Sequence, residues 1–146
     1  MSLFGLFLSK EEKLLNAVIR ADKKEVKMLL ENGADASTCN EDGWTGLMFA
    51  SAKDHLIAAS NQRDYHTVVE YLLKYGANID AQSKDGGATA LFIAVGNGNT
   101  HEIRLLLEHG ANVHIKTHTG ETPLSFASNK GHTSIVELLL GSGAKY

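Results

Sequence analysis

The chain has 146 residues, 43% of them hydrophobic and 21% charged, with a formal net charge of −3. That length suits one domain and that balance a folded globular protein. The weak negative charge argues against a nucleic-acid binder, whose footprint is a basic stripe.

The chain opens with an apolar group, Leu3, Phe4, Leu6, Phe7 and Leu8. It lacks the positively charged start and small-residue cleavage site of a secretory signal. Residues 1–9 are expected to fold over the first structural unit as a cap, with a contact to a partner or a membrane as the rival reading. A membrane-surface helix would need basic residues on its polar face, and Lys10 is the only one nearby.

Ser9 with Glu12 three residues on forms a capping-box pattern, so a first helix is predicted to start there. Val26, Leu29 and Leu30, spaced i, i+3, i+4, predict a second helix. Gly33 comes next as its left-handed stop. The pair then recurs. Thr45, Thr89 and Thr122 are positioned to cap later first helices, whose inward residues are Leu47, Ala50 and Ser51; Leu91, Ala94 and Val95; Leu124, Ala127 and Ser128. The second-helix stripes recur as Val69, Leu72, Leu73; Ile103, Leu106, Leu107; and Val136, Leu139, Leu140, stopped by Gly76, Gly110 and Gly143. Gly43, Gly86 or Gly87, and Gly120 belong to the linking turns. The last unit ends near Tyr146, and its leucines leave some apolar surface open. The lone cysteine, Cys39, can form no internal disulfide, which points to a cytoplasmic or other intracellular setting. No apolar run is long enough to span a bilayer.

The units repeat in phase. Leu-Leu-x-x-Gly-Ala occurs four times, and Gly33, Gly76, Gly110 and Gly143 are 43, 34 and 33 residues apart. A second string reads Thr45-Gly46-Leu47-Met48-Phe49-Ala50, Thr89-Ala90-Leu91-Phe92-Ile93-Ala94 and Thr122-Pro123-Leu124-Ser125-Phe126-Ala127. Over residues 10 to 146 the chain resembles the ankyrin-repeat family, with its period of 33 and its Thr-Pro-Leu-His-x-Ala signature. Here no unit carries the signature histidine and only the last carries the proline.

The resemblance implies an all-α solenoid of four helix-turn-helix repeats with short β-turn-like connections. The repeats fall at about 10–41, 42–84 with a ten-residue insertion, 85–117 and 118–146. The insertion lies between Ser51 and Tyr65. It holds no glycine or proline, so the first helix of the second unit is predicted to run on past its neighbours, by up to about 15 Å. Ser60 to Asp64 is polar and suits the turn that would come after it.

Family partners dock on the turn tips and on the concave face of the first helices. Carried over by position, the tips are Glu41, Asp42 and Trp44; Lys84, Asp85 and Ala88; His118, Thr119 and Glu121. The adjoining helix positions are Met48 and Phe49, Phe92 and Ile93, Ser125 and Phe126. Trp44, the only tryptophan, is the expected hot spot, because aromatic residues dominate such sites. Met48, Phe49 and Phe92 could continue an apolar strip from it. The alternative is that Trp44 folds back over Met48 or the inserted segment.

No constellation points to catalysis. His114 and His118 are four apart but fall in turns, no cysteine pair exists, and no metal or cofactor is expected. Gly96-Asn97-Gly98 comes after a helix, where a phosphate cradle should come after a strand. No Gly-x-Ser-x-Gly occurs. The expected function is a non-enzymatic, monomeric interaction module with a protein partner, not a nucleic acid. Its rivals are a dedicated inhibitor or immunity-type protein, a host-directed effector, and a small-molecule or lipid site beside the insertion.

Overall fold

A computed structural model describes residues 7–53 and 59–146. Among them are eight helices: α1 (Lys10–Ile19), α2 (Lys23–Glu31), α3 (Gly46–Lys53), α4 (Ala59–Lys74), α5 (Ala90–Gly96), α6 (Thr100–Glu108), α7 (Pro123–Lys130) and α8 (Thr133–Gly141). They form four pairs. Each odd-numbered helix packs on the next, α1 on α3, α3 on α5 and α5 on α7. The result is the all-α ankyrin solenoid that the repeat implies.

The expected caps are in place. The Ser9 hydroxyl accepts the Glu12 N–H, and Glu12 reaches back to the Ser9 N–H at 2.8 Å. Thr45, Thr89 and Thr122 accept the N–H groups of Met48, Phe92 and Ser125. The four glycines after the second helices have φ between 85° and 96°. Between α1 and α2 the chain instead uses Ala21 at φ 55°, where the later pairs place Gly98 and Gly131. An alanine held there costs about 1 kcal/mol.

Stacking buries one continuous core. The first helices supply Leu14 and Val18, Leu47 and Ala50, Leu91 and Ala94, Leu124 and Ala127. The second helices supply Val26 and Leu29, Val69 and Leu72, Ile103 and Leu106, Ile135 and Leu139. On α8, Leu140 is 40% exposed. At the start of the chain, Leu3, Phe4 and Leu6 lie outside the described residues. Phe7 is exposed and Leu8 half-buried, so Phe7 caps nothing.

Part of the insertion lengthens the second helix of the unit, α4, which the sequence pattern does not predict, while the predicted run-on of α3 past Lys53 falls on residues 54–58, outside the described residues. α3 is described over Gly46–Lys53. α4 has 16 residues, against nine in each of α2, α6 and α8. Ser60 to Asp64, read as a turn, is helical. Side-chain contacts hold the extension down. The buried Tyr65 donates its hydroxyl to the Ile19 carbonyl, and Asp64 pairs with Lys23 at 3.0 Å.

Candidate partner-binding surface

The turn tips are built on one plan. In the second repeat, Asn40 donates its N–H to the Trp44 carbonyl, and its side chain accepts the N–H groups of Asp42 and Trp44 at 3.0 and 2.9 Å. Ser83 plays the same part with Ala88, and Thr117 with Glu121. Each tip is then tied to the next through the backbone. Lys84 donates its N–H to the Asp42 carbonyl at 2.8 Å, and His118 donates to the Gly86 carbonyl at 2.9 Å. Gln82 adds bonds from its amide to the Gly87 and Lys116 carbonyls, both at 2.9 Å. Three tips thereby form one fixed row.

Glu41, Asp42, Lys84, Asp85 and His118 stand exposed along that row, while Glu121 is half-buried. Trp44 is half-buried too. Its ring packs against Phe49 at a centroid distance of 5.3 Å, and its indole N–H donates to the Asp85 carboxylate at 3.4 Å. So it folds back over Phe49, not over Met48. Met48 does not belong to the surface at all: it is 0% exposed and packed in the core. Adjacent helical residues point about 100° apart, and in α3 it is Phe49 that turns outward. Phe92 is half-buried and continues to Phe126, ring centroids 4.9 Å apart, with the Lys130 ammonium 5.4 Å from the Phe126 ring. The concave face therefore carries two aromatic pairs, Trp44–Phe49 and Phe92–Phe126.

Asp85 is the electrostatic latch of this arrangement. A hydrogen bond from the Ser83 hydroxyl holds its carboxyl below the ordinary aspartate range. Burial opposes this, and the Trp44 indole and the Gly86 and Asp85 N–H groups lower it further. A depressed value means that the stabilisation is present above the unfolded value, near 3.9, and is lost as pH falls through the folded one. Trp44 emission should therefore hold steady from neutral pH down past pH ~4 and change only below it. Asp85→Asn should remove that acid step. An unchanged step in Asp85→Asn would show that another group causes it.

One buried group escaped the sequence pattern. Glu102 occupies the helix position that Val68 and Ile135 hold in the neighbouring repeats, and it is fully buried. Its carboxylate lies 3.0 Å from Nδ1 of His66 on α4, whose ring packs on His101. The pair is 36 residues apart in sequence, so no local spacing announces it. Among the described residues no group of three His, Cys, Asp or Glu side chains could hold a metal ion, and no helix is long and apolar enough to cross a membrane.

Residues 55–146 match a family model described as ankyrin repeats (3 copies), and residues 14–60 match one described as ankyrin repeats (many copies). The chain belongs to the ankyrin-repeat family. This ankyrin-repeat chain is 33% identical over 138 residues to the probable E3 ubiquitin-protein ligase XBOS34 of Oryza sativa subsp. japonica, a match covering 94% of the chain and 25% of that protein. It is 41% identical over 73 residues to the B-cell lymphoma 3 protein homolog of Mus musculus, covering 50% of the chain and 16% of that protein. It is 30% identical over 129 residues to the nuclear factor NF-kappa-B p105 subunit of Gallus gallus, covering 88% of the chain and 12% of that protein. The chain thus spans a quarter or less of each of these relatives.

Proposed function

We propose that this chain is a non-catalytic, monomeric module that binds a protein partner through its turn tips and concave face. Ankyrin repeats generally mediate protein–protein interaction, and the rice, mouse and chicken relatives carry this unit within larger proteins of different kinds. The observation that carries the reading is the fixed row of tips beside Trp44. The tips are joined backbone to backbone, and Phe49 and Asp85 hold the indole half-exposed. A surface fixed before binding loses little conformational freedom on association. A half-packed tryptophan is the residue type that most often anchors an interface.

The proposed contacts are Glu41, Asp42, Trp44, Lys84, Asp85, Phe92, His118 and Glu121, with Phe49 in place of Met48. Trp44→Ala should weaken partner binding by about 2 kcal/mol or more. Calorimetry with a partner captured from the source cell measures this, and a change under about 1 kcal/mol would remove Trp44 as the anchor. A dedicated inhibitor or a host-directed effector would use the same surface, and only the partner's identity separates them. The small-molecule or lipid reading falls partly on residues 54–58, outside the described residues, and no observation favours it.

A further inference from the structure

Next to the tip row, α1 and the chain entering the second repeat enclose a groove of about 780 Å³. Its apolar floor is Leu15 and Ile19 from α1 and Phe49 from α3. Glu11, Glu12 and Glu41 stand around it, and no lysine, arginine or histidine is among its described lining residues. Two cations of the same segment are engaged elsewhere. Arg20 pairs with Glu25, and Lys10 donates to the Asn32 carbonyl. Two of the glutamates are held in place: Glu12 accepts the Ser9 N–H at 2.8 Å, and Glu11 accepts the Asp35 N–H at 3.4 Å. The groove joins the aromatic tip through Phe49, which packs on Trp44.

Three carboxylates, with no cation among the groove's described lining residues, repel an acidic partner and attract a basic one. An apolar floor between them demands large apolar side chains as well. The geometry points to a basic, amphipathic segment of a partner protein as the occupant of this groove. Its apolar side chains cover Leu15, Ile19 and Phe49, and its lysines or arginines meet the three glutamates. This rests on the concave face being the docking surface and adds the chemistry of what docks there.

The test uses the full chain and an eight-residue peptide alternating lysine with leucine, read by peptide anisotropy and by Trp44 emission. Saturable one-to-one binding is expected, with a change in Trp44 emission. It should weaken at least about tenfold between low and moderate salt as charges are screened. The same peptide with glutamate for lysine should not bind. The triple variant Glu11→Gln, Glu12→Gln, Glu41→Gln should bind the lysine peptide at least about tenfold more weakly. Glutamine preserves the capping box, so its urea midpoint should match that of the parent chain. The control Glu70→Gln, Glu108→Gln, Glu137→Gln changes net charge equally at exposed sites on the second helices and should bind within about twofold of the parent.

Equal loss in both triple variants, or loss in neither, overturns the proposal. So does a second copy of the chain filling the groove, seen as concentration-dependent dimerisation that blocks the peptide. A partner that needs Trp44 but ignores salt and the groove glutamates would leave the docking face standing and remove only the basic occupant.

Discussion

Replacing Leu91 with alanine should lower the free energy of unfolding by about 3 kcal/mol. The side chain is 1% exposed, and α5 packs on α3 on one side and on α7 on the other. A solenoid's stability is close to a sum over units and the interfaces between neighbours. A cavity at Leu91 therefore weakens two interfaces at once. Both are bounded by helices that cannot collapse inward without leaving their other neighbour. Leu140, 40% exposed on α8, is the comparison: Leu140→Ala should cost under about 1 kcal/mol. Urea titrations should show the Leu91 midpoint fall with little change in slope. Similar costs at both positions would contradict the placement of the core.

Gly87→Ala should cost about 2–3 kcal/mol, more than an exposed turn substitution normally does. Two effects add. Gly87 sits at φ 73°, where an alanine is strained. Its new Cβ would also lie 2.5 Å from Cδ2 of His118 and 3.0 Å from the His118 backbone nitrogen. That nitrogen makes the bond to Gly86 that ties the tip of the third repeat to that of the fourth. The substitution must therefore push the tips apart. Gly76 separates the two effects, having φ 87° with nothing within 4 Å of a new Cβ. Gly76→Ala should cost only the strain, about 1 kcal/mol. Adding His118→Ala to Gly87→Ala should recover part of the loss but not all, because the backbone clash remains. Equal costs at Gly76 and Gly87 would mean that the tips are not held as described.

The pairing of helices, their caps and their stops were legible because each depends on a few residues close in sequence. Ser9 with Glu12, the three threonines and the four stopping glycines all act within one helical turn. The placement of the insertion was not legible. Residues 52–64 contain no glycine or proline, so a helix could continue from either side. On the α4 side, Tyr65 and Asp64 meet Ile19 and Lys23 in the first repeat, contacts that no local pattern encodes. At the surface, the tip positions came from the period, and most stand exposed. Met48 did not, because two adjacent apolar residues on one helix leave open which of them faces the core. Glu102 breaks the apolar pattern outright, and its partner His66 lies in the preceding repeat, beyond the reach of any local pattern.

The proposed docking surface for a protein partner is the tips and concave face around Trp44. The most direct measurement compares the partner affinities of Trp44→Ala and Met28→Ala. Met28 is 51% exposed on α2, one of the second helices. The expected result is a loss of about thirtyfold or more for Trp44→Ala and under about threefold for Met28→Ala, with both chains folded. A loss at Met28 with none at Trp44 would place the partner on the second helices and contradict the account.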